Sequence, residues 1–135
     1  MSGQTDLSEI LASITVSVRP DDYVIVALPS TTPPPPLGDG VAALITEAEG
    51  TTVVATFSRA AHEEWPYDFV ASWLTIDIHS ALESIGLTAT FSRQLGRAGI
   101  PCNVLAGFFH DHILVPHDKR DAAVEVIEAL RGAKP

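Results

Sequence analysis

The second half of the chain switches between two hydrophobic periods in an order that few folds can accommodate. Residues 70–79 alternate apolar and polar side chains, which is the period of a β-strand. Residues 86–100 and 118–132 carry apolar side chains at helical spacing. Between them, 102–109 and 112–116 are apolar runs of strand length. The predicted order of strand, helix, strand, strand and helix supplies five of the six elements of a ferredoxin-like βαββαβ unit.

The same periods predict which side chains face the core. One face of the first strand carries Val70, Ser72, Leu74, Ile76 and Ile78, and the other carries Trp73, Thr75, Asp77 and His79. The next helix is predicted to bury Leu87, Phe91, Leu95 and Ala98 and to end at a left-handed Gly99. The last helix is predicted to begin at its cap Asp118, to bury Ala123, Val126, Ile127 and Leu130, and to end at Gly132.

A sixth element, the closing strand, is missing from the second half, because only "AKP" follows the last helix. A strand from the first half is expected to fill this place, and the β-branched run "YVIVAL" at 23–28 fits best. The two halves would then interlock and could not fold separately.

The first half is predicted to contain shorter elements. A helix at 5–14 precedes the strand at 23–28, and a hairpin at 41–58 precedes a short helix at 59–65. The intervening segment, 30–40, contains four consecutive prolines, which exclude a helix interior and a central strand. Its composition suits a polyproline-II ligand, but a stiff surface loop is the favoured interpretation.

Composition and charge exclude several classes of protein. The 135 residues are 46% hydrophobic and 19% charged, which is typical of a globular chain. The formal net charge of -9 repels phosphate, so nucleic acid is not expected as a partner. The single cysteine, Cys102, excludes an internal disulfide and is interpreted as a small core residue. Signal-peptide and membrane-spanning patterns are missing, so a cytoplasmic protein without membrane contact is expected.

The triplet His110-Asp111-His112 is a concentrated group of titratable side chains. Histidines two apart on a strand share a face and can chelate a metal ion, with His79, His117 or a carboxylate as further ligands. The triplet also falls where the hairpin must turn, and a polar hairpin tip is the favoured interpretation. The sequence lacks nucleophile-elbow, zinc-protease, Walker and dinucleotide motifs, so neither catalysis nor a cofactor is expected.

The segment "IHSALESIGLTA" at 78–89 offers groups that suit a free amino acid. Free backbone N–H groups at a helix start attract a carboxylate, and Gly86 lets a small ligand come close. Glu83 and Asp111 can meet a cationic amine. The same residues fit equally well an ordinary polar loop between a strand and a helix.

Residues 80–116 resemble the second unit of a small family of tandem ACT-domain proteins. The shared patterns are G-[IVL]-x-A, L-x-x-A-G-I and D-H-x-L-V-P, present here as "GLTA", "LGRAGI" and "DHILVP". The same run is similar to the last ACT unit of the CASTOR arginine sensors. The resemblance implies an α+β protein of two ferredoxin-like units, 1–66 and 67–135, with antiparallel sheets, helices on one face and a strand exchanged between units.

ACT domains commonly bind amino acids at interfaces between units and regulate metabolic enzymes. The resemblance therefore implies a sensor without catalytic activity, with an amino acid as ligand, a homodimer as assembly and a metabolic enzyme as partner. By position, it implies a ligand site formed by Glu83, Ser84, Ile85, Gly86, Leu87, Gly107, Phe108 and Asp111.

Two departures from the sensor pattern leave the ligand open. Ser84 replaces an acidic residue of the sensor loop, and the sensors carry four ACT units where this chain has at most two. A pocket built from two units would then need a second copy of the chain. The alternative is a structural module that assembles with itself or with an enzyme and binds no ligand.

Overall fold

The computed structural model describes residues 9, 11–77 and 86–131. The elements, in chain order, are β1 (Thr15–Pro29), β2 (Val41–Thr46), β3 (Gly50–Thr56), α1 (Phe57–Glu63), β4 (Val70–Asp77), α2 (Leu87–Arg97), β5 (Asn103–Ala106), β6 (Asp111–Pro116), a 3-10 turn (His117–Lys119) and α3 (Arg120–Glu128). Across the described ranges, the helices are too short or too polar to cross a membrane.

The chain forms two compact units. Residues up to Arg19 and from Trp73 onward make one, called here the terminal unit, and Pro20–Ser72 make the other, called the central unit. Strand β1 begins in the terminal unit and its residues from Pro20 onward belong to the central unit.

The terminal unit has the split β-α-β-β-α order that the sequence predicts, with strand order β1–β4–β6–β5. Strands β5 and β6 are antiparallel, with Asn103 opposite Leu114 and Ala106 opposite Asp111. The hydrophobic core contains Leu74 and Ile76 of β4, Ile113 and Val115 of β6, Leu87, Phe91 and Leu95 of α2, and Ala123 and Ile127 of α3. Because alternate strand residues share a face, both helices cover the same face of the sheet.

The closing strand of the terminal unit is the beginning of β1. The Thr15 hydroxyl donates to the backbone oxygen of Asp77 at 3.2 Å, and Val16 packs against the core. The prediction that an upstream strand completes the unit is confirmed, but the choice of residues 23–28 is wrong. Those residues pair with β3 in the central unit, with Tyr23 opposite Thr56. One long strand contributes to both units. Its high β-propensity lies in residues 23–28, which belong to the central unit, and not in the first residues of β1, which complete the terminal unit.

The central unit is an antiparallel sheet with one helix. Strand β3 pairs with β1 on one side and with β2 on the other, so the predicted hairpin is confirmed. Its buried cluster consists of Val24, Val26, Leu28, Val41, Val53, Ala55 and Ala60. Helix α1 begins at Phe57, two residues before the predicted start, because the Thr56 hydroxyl accepts the Arg59 N–H at 3.1 Å and caps the helix.

The proline-rich segment 30–40 is a surface loop, as predicted. Its far end is attached to α1 by Arg59, which donates from Nη1 to the backbone oxygen of Asp39 at 2.7 Å. The same guanidinium donates to Glu63 at 3.1 Å and lies 5.5 Å from the ring centroid of Trp65. Proline therefore stiffens the loop, and one arginine fixes where it ends.

Four details of the second half differ from the sequence predictions, and one is the end of the last helix, since α3 ends at Glu128 and not at the predicted Gly132. Strand β5 ends at Ala106, so Phe108 and Phe109 are not in a strand and are 76% and 80% exposed. Ala98 is exposed, because α2 ends at Arg97 and Ala98 is its C-terminal cap. Asp118 lies in the 3-10 turn rather than at the cap of α3, which is Lys119.

Candidate functional site

The residues proposed to bind a ligand fall into three groups in the terminal unit. Glu83, Ser84 and Ile85 lie outside the described residues. Gly86 and Leu87 begin α2. Gly107, Phe108 and Asp111 belong to the β5–β6 turn and the strand that follows it.

The start of α2 has the backbone geometry that the sequence suggested for a ligand. Gly86 adopts φ 93° and ψ -14°, a left-handed conformation that favours glycine, and no side chain among the described residues caps the first turn. The backbone oxygen of Gly86 accepts the Thr90 hydroxyl at 2.6 Å and the Thr90 N–H at 2.9 Å. The Leu87 side chain is buried in the core, so only its backbone is available to a ligand.

The β5–β6 turn spans residues 107–110 and carries an aromatic tip instead of the predicted polar one. The Gly107 N–H donates to the backbone oxygen of His110 at 3.0 Å and closes the turn. Phe108 and Phe109 project from it with their ring centroids 5.1 Å apart, in edge-to-face contact. A Cβ at Gly107 would lie 2.8 Å from the backbone oxygen of His110 and 3.1 Å from Nε2 of His112, so the turn itself requires glycine by close approach.

His112 accepts hydrogen bonds from two residues of β4. The Trp73 indole Nε1 lies 3.2 Å from His112 Nδ1, and the Thr75 hydroxyl oxygen lies 2.9 Å from the same nitrogen. Because an indole N–H is only a donor, Nδ1 must be the unprotonated acceptor. The neutral imidazole therefore carries its hydrogen on Nε2.

The surroundings of His112 favour this neutral form. Burial is the largest cause that lowers the pKa of His112 below its ordinary 6.5, followed by the positive charge of Arg19 and by His110. The Asp111 carboxylate acts in the opposite direction. The Arg19 guanidinium lies 3.9 Å from the Trp73 ring centroid, a cation–π geometry.

The turn lies beside the end of β4. His110 Nδ1 is 3.7 Å from Asp77 Oδ1, a distance at which a protonated imidazole and a carboxylate form an ion pair. This nitrogen is shielded from solvent and has no hydrogen-bond partner among the described residues. The contact joins the turn to the point from which the chain leaves β4 towards the start of α2.

The described residues do not support the alternative chemistries. Within 9, 11–77 and 86–131, no group of three or more histidine, cysteine or acidic side chains is arranged to bind a metal ion. Cys102 is half-buried, with Sγ 4.0 Å from the Ser92 hydroxyl, rather than beside a histidine that could act as its base.

Sequence reasoning missed the group around His112 and found only its parts. The strand period correctly placed Trp73, Thr75 and Asp77 on one face, and the triplet drew attention to His112. The hydrophobic period alone did not pair β4 with β6, however, and Arg19 belongs to a strand segment that was not predicted. Lateral strand order is a tertiary property that the hydrophobic period does not specify.

Two family profiles match the chain, both described as the ACT domain. One covers residues 2–72 and the other covers residues 69–129. None of the curated proteins compared with this chain matches it.

Solved structures share the whole fold. VC0802 from Vibrio cholerae, described as a protein of unknown function and possible transport protein, is 30% identical, with a TM-score of 0.82 over 96% of this chain and 99% of that chain. Protein Atu0741 from Agrobacterium tumefaciens is 18% identical, with a TM-score of 0.69 over 87% of this chain and 89% of that chain. The ligand-free regulatory subunit of aspartate kinase from Thermus thermophilus is 9% identical, with a TM-score of 0.63 over 89% of this chain and 97% of that chain.

The last two likenesses show the fold alone, because their sequence identities are low. The predicted fold class and the predicted tandem ACT family are confirmed, whereas the likeness to the arginine sensors stays a prediction. With two matching profiles that together span residues 2–129, the chain belongs to the ACT domain family and carries two ACT domains in tandem.

Proposed function

We propose that this protein is a regulatory module without catalytic activity that binds a free amino acid in the terminal unit, between the start of α2 and the β5–β6 turn. Its partner would be a metabolic enzyme or regulator. The fold shared with an aspartate kinase regulatory subunit supports the regulatory class and not the ligand.

The observation that carries this proposal is the contact between His110 and Asp77 at 3.7 Å. It joins the turn to the strand end from which the chain continues to α2. Within the described residues, the first turn of α2 has no side-chain cap, and backbone N–H groups at such a helix start suit a carboxylate. An α-carboxylate at this helix start would lie on the same side of the sheet end as the turn.

The ligand's amine and side chain have candidate partners on the turn. The Asp111 carboxylate begins β6, and the exposed Phe108 ring offers an apolar surface. Glu83, outside the described residues, is proposed as a second acidic partner by its position in the family pattern. A pocket that includes a second ACT domain would be completed in a homodimer.

A ligand-free structural module is the second candidate, and the exposed aromatic tip favours it. Phe108 and Phe109 are 76% and 80% exposed on a short turn. Aromatic side chains of this kind are typical anchors of protein interfaces. In this case the tip would contact a second copy or an enzyme.

Isothermal titration and thermal unfolding with each of the twenty amino acids test the first candidate. We expect one amino acid, or one chemical class, to release heat and to raise the unfolding temperature. At a ligand concentration of about 100 times Kd, binding stabilises a protein by about 2.7 kcal/mol. Asp111→Asn should weaken binding, while Asp121→Asn, an exposed change on α3, should leave it unchanged.

Gly86→Ala adds a backbone test with its own control. Both Gly86 and Gly99 have positive φ at the two ends of α2, so alanine strains the backbone at either position. Only Gly86→Ala should reduce affinity.

If the wild-type chain responds to none of the amino acids, the sensor proposal fails. Light scattering of Phe108→Ser, with Phe57→Ser as the exposed control, then tests whether the tip holds an oligomer together.

A further inference from the structure

The face of the terminal sheet opposite α2 and α3 carries a polar cluster whose central residue, His112, the proposed ligand site does not use. Its members are Arg19 of β1, Trp73, Thr75 and Asp77 of β4, His110 of the turn and His112 of β6, called here the His112 cluster. Trp73 is 3% exposed, so the bond between its indole and His112 is shielded from water. A titratable side chain therefore accepts a buried hydrogen bond at the base of an exposed turn.

Protonation of His112 is incompatible with this bond. Nδ1 has one lone pair, and the Trp73 indole has only a hydrogen to offer it at 3.2 Å. When Nδ1 gains a proton, two N–H groups face each other and the bond between them is lost. The Thr75 hydroxyl, 2.9 Å away, can rotate from donor to acceptor and keep its contact.

The charged groups around His112 act in both directions. Arg19, above the Trp73 ring, and burial oppose a positive imidazole, whereas Asp111 on the same strand favours it. Asp77 is a further charged group near the turn, with its Oδ1 3.7 Å from His110 Nδ1. Protonation of His112 therefore breaks one contact at the base of the turn.

The imidazole also contacts the turn itself. At Gly107, a Cβ would come within 3.1 Å of His112 Nε2 and 3.3 Å of its Cδ2, so the ring fills the space beside the first residue of the turn. We propose that His112 is a pH-dependent switch: its neutral ring, bonded to Trp73, fixes the β5–β6 turn, and its protonation releases that turn with Phe108 and Phe109. This device does not require an amino-acid ligand, so it can succeed or fail independently of the proposed function.

Nuclear magnetic resonance of the ¹⁵N-labelled full chain, titrated from about pH 8 to about pH 5, tests the switch. At the upper end, His112 should show the Nε2–H form. The Trp73 indole signal, distinguished from that of Trp65 in Trp65→Phe, should shift with a midpoint below the ordinary histidine pKa of 6.5.

The Gly107 N–H, bonded to His110 at 3.0 Å, reports the turn. Its hydrogen-exchange protection should fall roughly fivefold, the loss of one ordinary hydrogen bond, relative to the Gly38 N–H. Gly38 is the matched control, because its N–H donates to the backbone oxygen of Val41 at 2.9 Å in a turn of the central unit.

Two variants test whether His112 causes the pH dependence of the Trp73 signal. His112→Asn keeps an acceptor near the position of Nδ1 but does not titrate, so the Trp73 signal should become independent of pH. His117→Asn changes an exposed histidine and should behave as the wild type. If His112→Asn does not fold, the wild-type imidazole signals and the Gly107 exchange decide the question alone.

Three results measured on the wild type would overturn the proposal. They are an Nδ1–H form of His112 near neutral pH, a midpoint at or above 6.5, and protection at Gly107 that follows Gly38 over the whole titration. A Trp73 shift that persists in His112→Asn would assign the titration to another group and would also reject the switch.

Discussion

The two units connect their first and second strands in different ways. In the terminal unit, the connection between β4 and β5 includes α2, which buries Leu87, Phe91 and Leu95. In the central unit, the connection between β1 and β2 is the proline-rich loop 30–40, which contains no helix and is largely exposed. One connection contributes to the core, and the other is fixed by proline geometry and by Arg59.

This difference has a consequence for function. The proposed carboxylate site lies at the helix start of α2, and the loop 30–40 contains no helix that could offer an equivalent. Each chain would therefore provide one proposed site, not two. The difference also predicts that the two connections depend on different forces, which substitutions can separate.

The largest expected effect is the loss of the helical connection's contribution to the core. Phe91→Ala removes a side chain with 0% exposure from the terminal core and should lower the free energy of unfolding by about 3–5 kcal/mol. Phe57→Ala is the control, because Phe57 is 44% exposed and its ring makes an edge contact with Tyr67. It should cost about 1 kcal/mol or less. Equal losses in urea denaturation would contradict the claim that α2 supports the core.

The second-largest expected effect is the loss of stability when Arg59, which holds the end of the loop 30–40, is replaced. Arg59→Met should cost about 1.5–3 kcal/mol, because it removes a charge-assisted bond to the Asp39 oxygen and the contact with Trp65. Arg120→Met, on the exposed start of α3, loses only its contact with the neighbouring Asp121 and should change stability by less than about 0.5 kcal/mol. Urea denaturation of both variants measures the difference, and comparable values would mean that Arg59 does not fix the loop.

The sequence predicted where the strands and helices lie better than it predicted which strands pair with one another. The periods located β4, α2, β6 and α3, because each buries one face against its own unit. The closing strand was misplaced because propensity favours 23–28, whereas the segment that the unit uses begins at Thr15 and alternates apolar with polar residues before Pro20. Local preference cannot show that one strand serves two units.

The site was predicted to a similar extent. Gly86 was correctly expected at a helix start, from its place before a helical period. The role of Gly107 was not foreseen, because it depends on how the turn folds back on the His110 backbone oxygen and on the nearby His112 ring. The exposed Phe108 was assigned to a strand, since an aromatic pair at the end of an apolar run resembles the interior of one.

A smaller effect compares two glycines of the helical connection. Gly99→Ala should lower stability by about 1–2 kcal/mol, because Gly99 has φ 72°, where an L side chain is strained. Gly96→Ala lies within α2 with open space around its Cβ position and should raise stability by about 0.5–1 kcal/mol. Opposite signs in thermal unfolding are the prediction. A gain in both variants would show that α2 does not require a left-handed residue at its end.

The smallest effect is the pH dependence that the terminal unit gains from His112. Because the folded protein lowers the pKa of His112 below 6.5, the unfolded chain binds the proton more readily. The resulting stability is complete above 6.5 and is lost as the pH falls from there through the lower folded pKa. The free energy of unfolding should therefore rise with pH more steeply in the wild type than in His112→Asn across this window. His117→Asn should retain the wild-type slope, and parallel curves for wild type and His112→Asn would show that His112 is not coupled to folding.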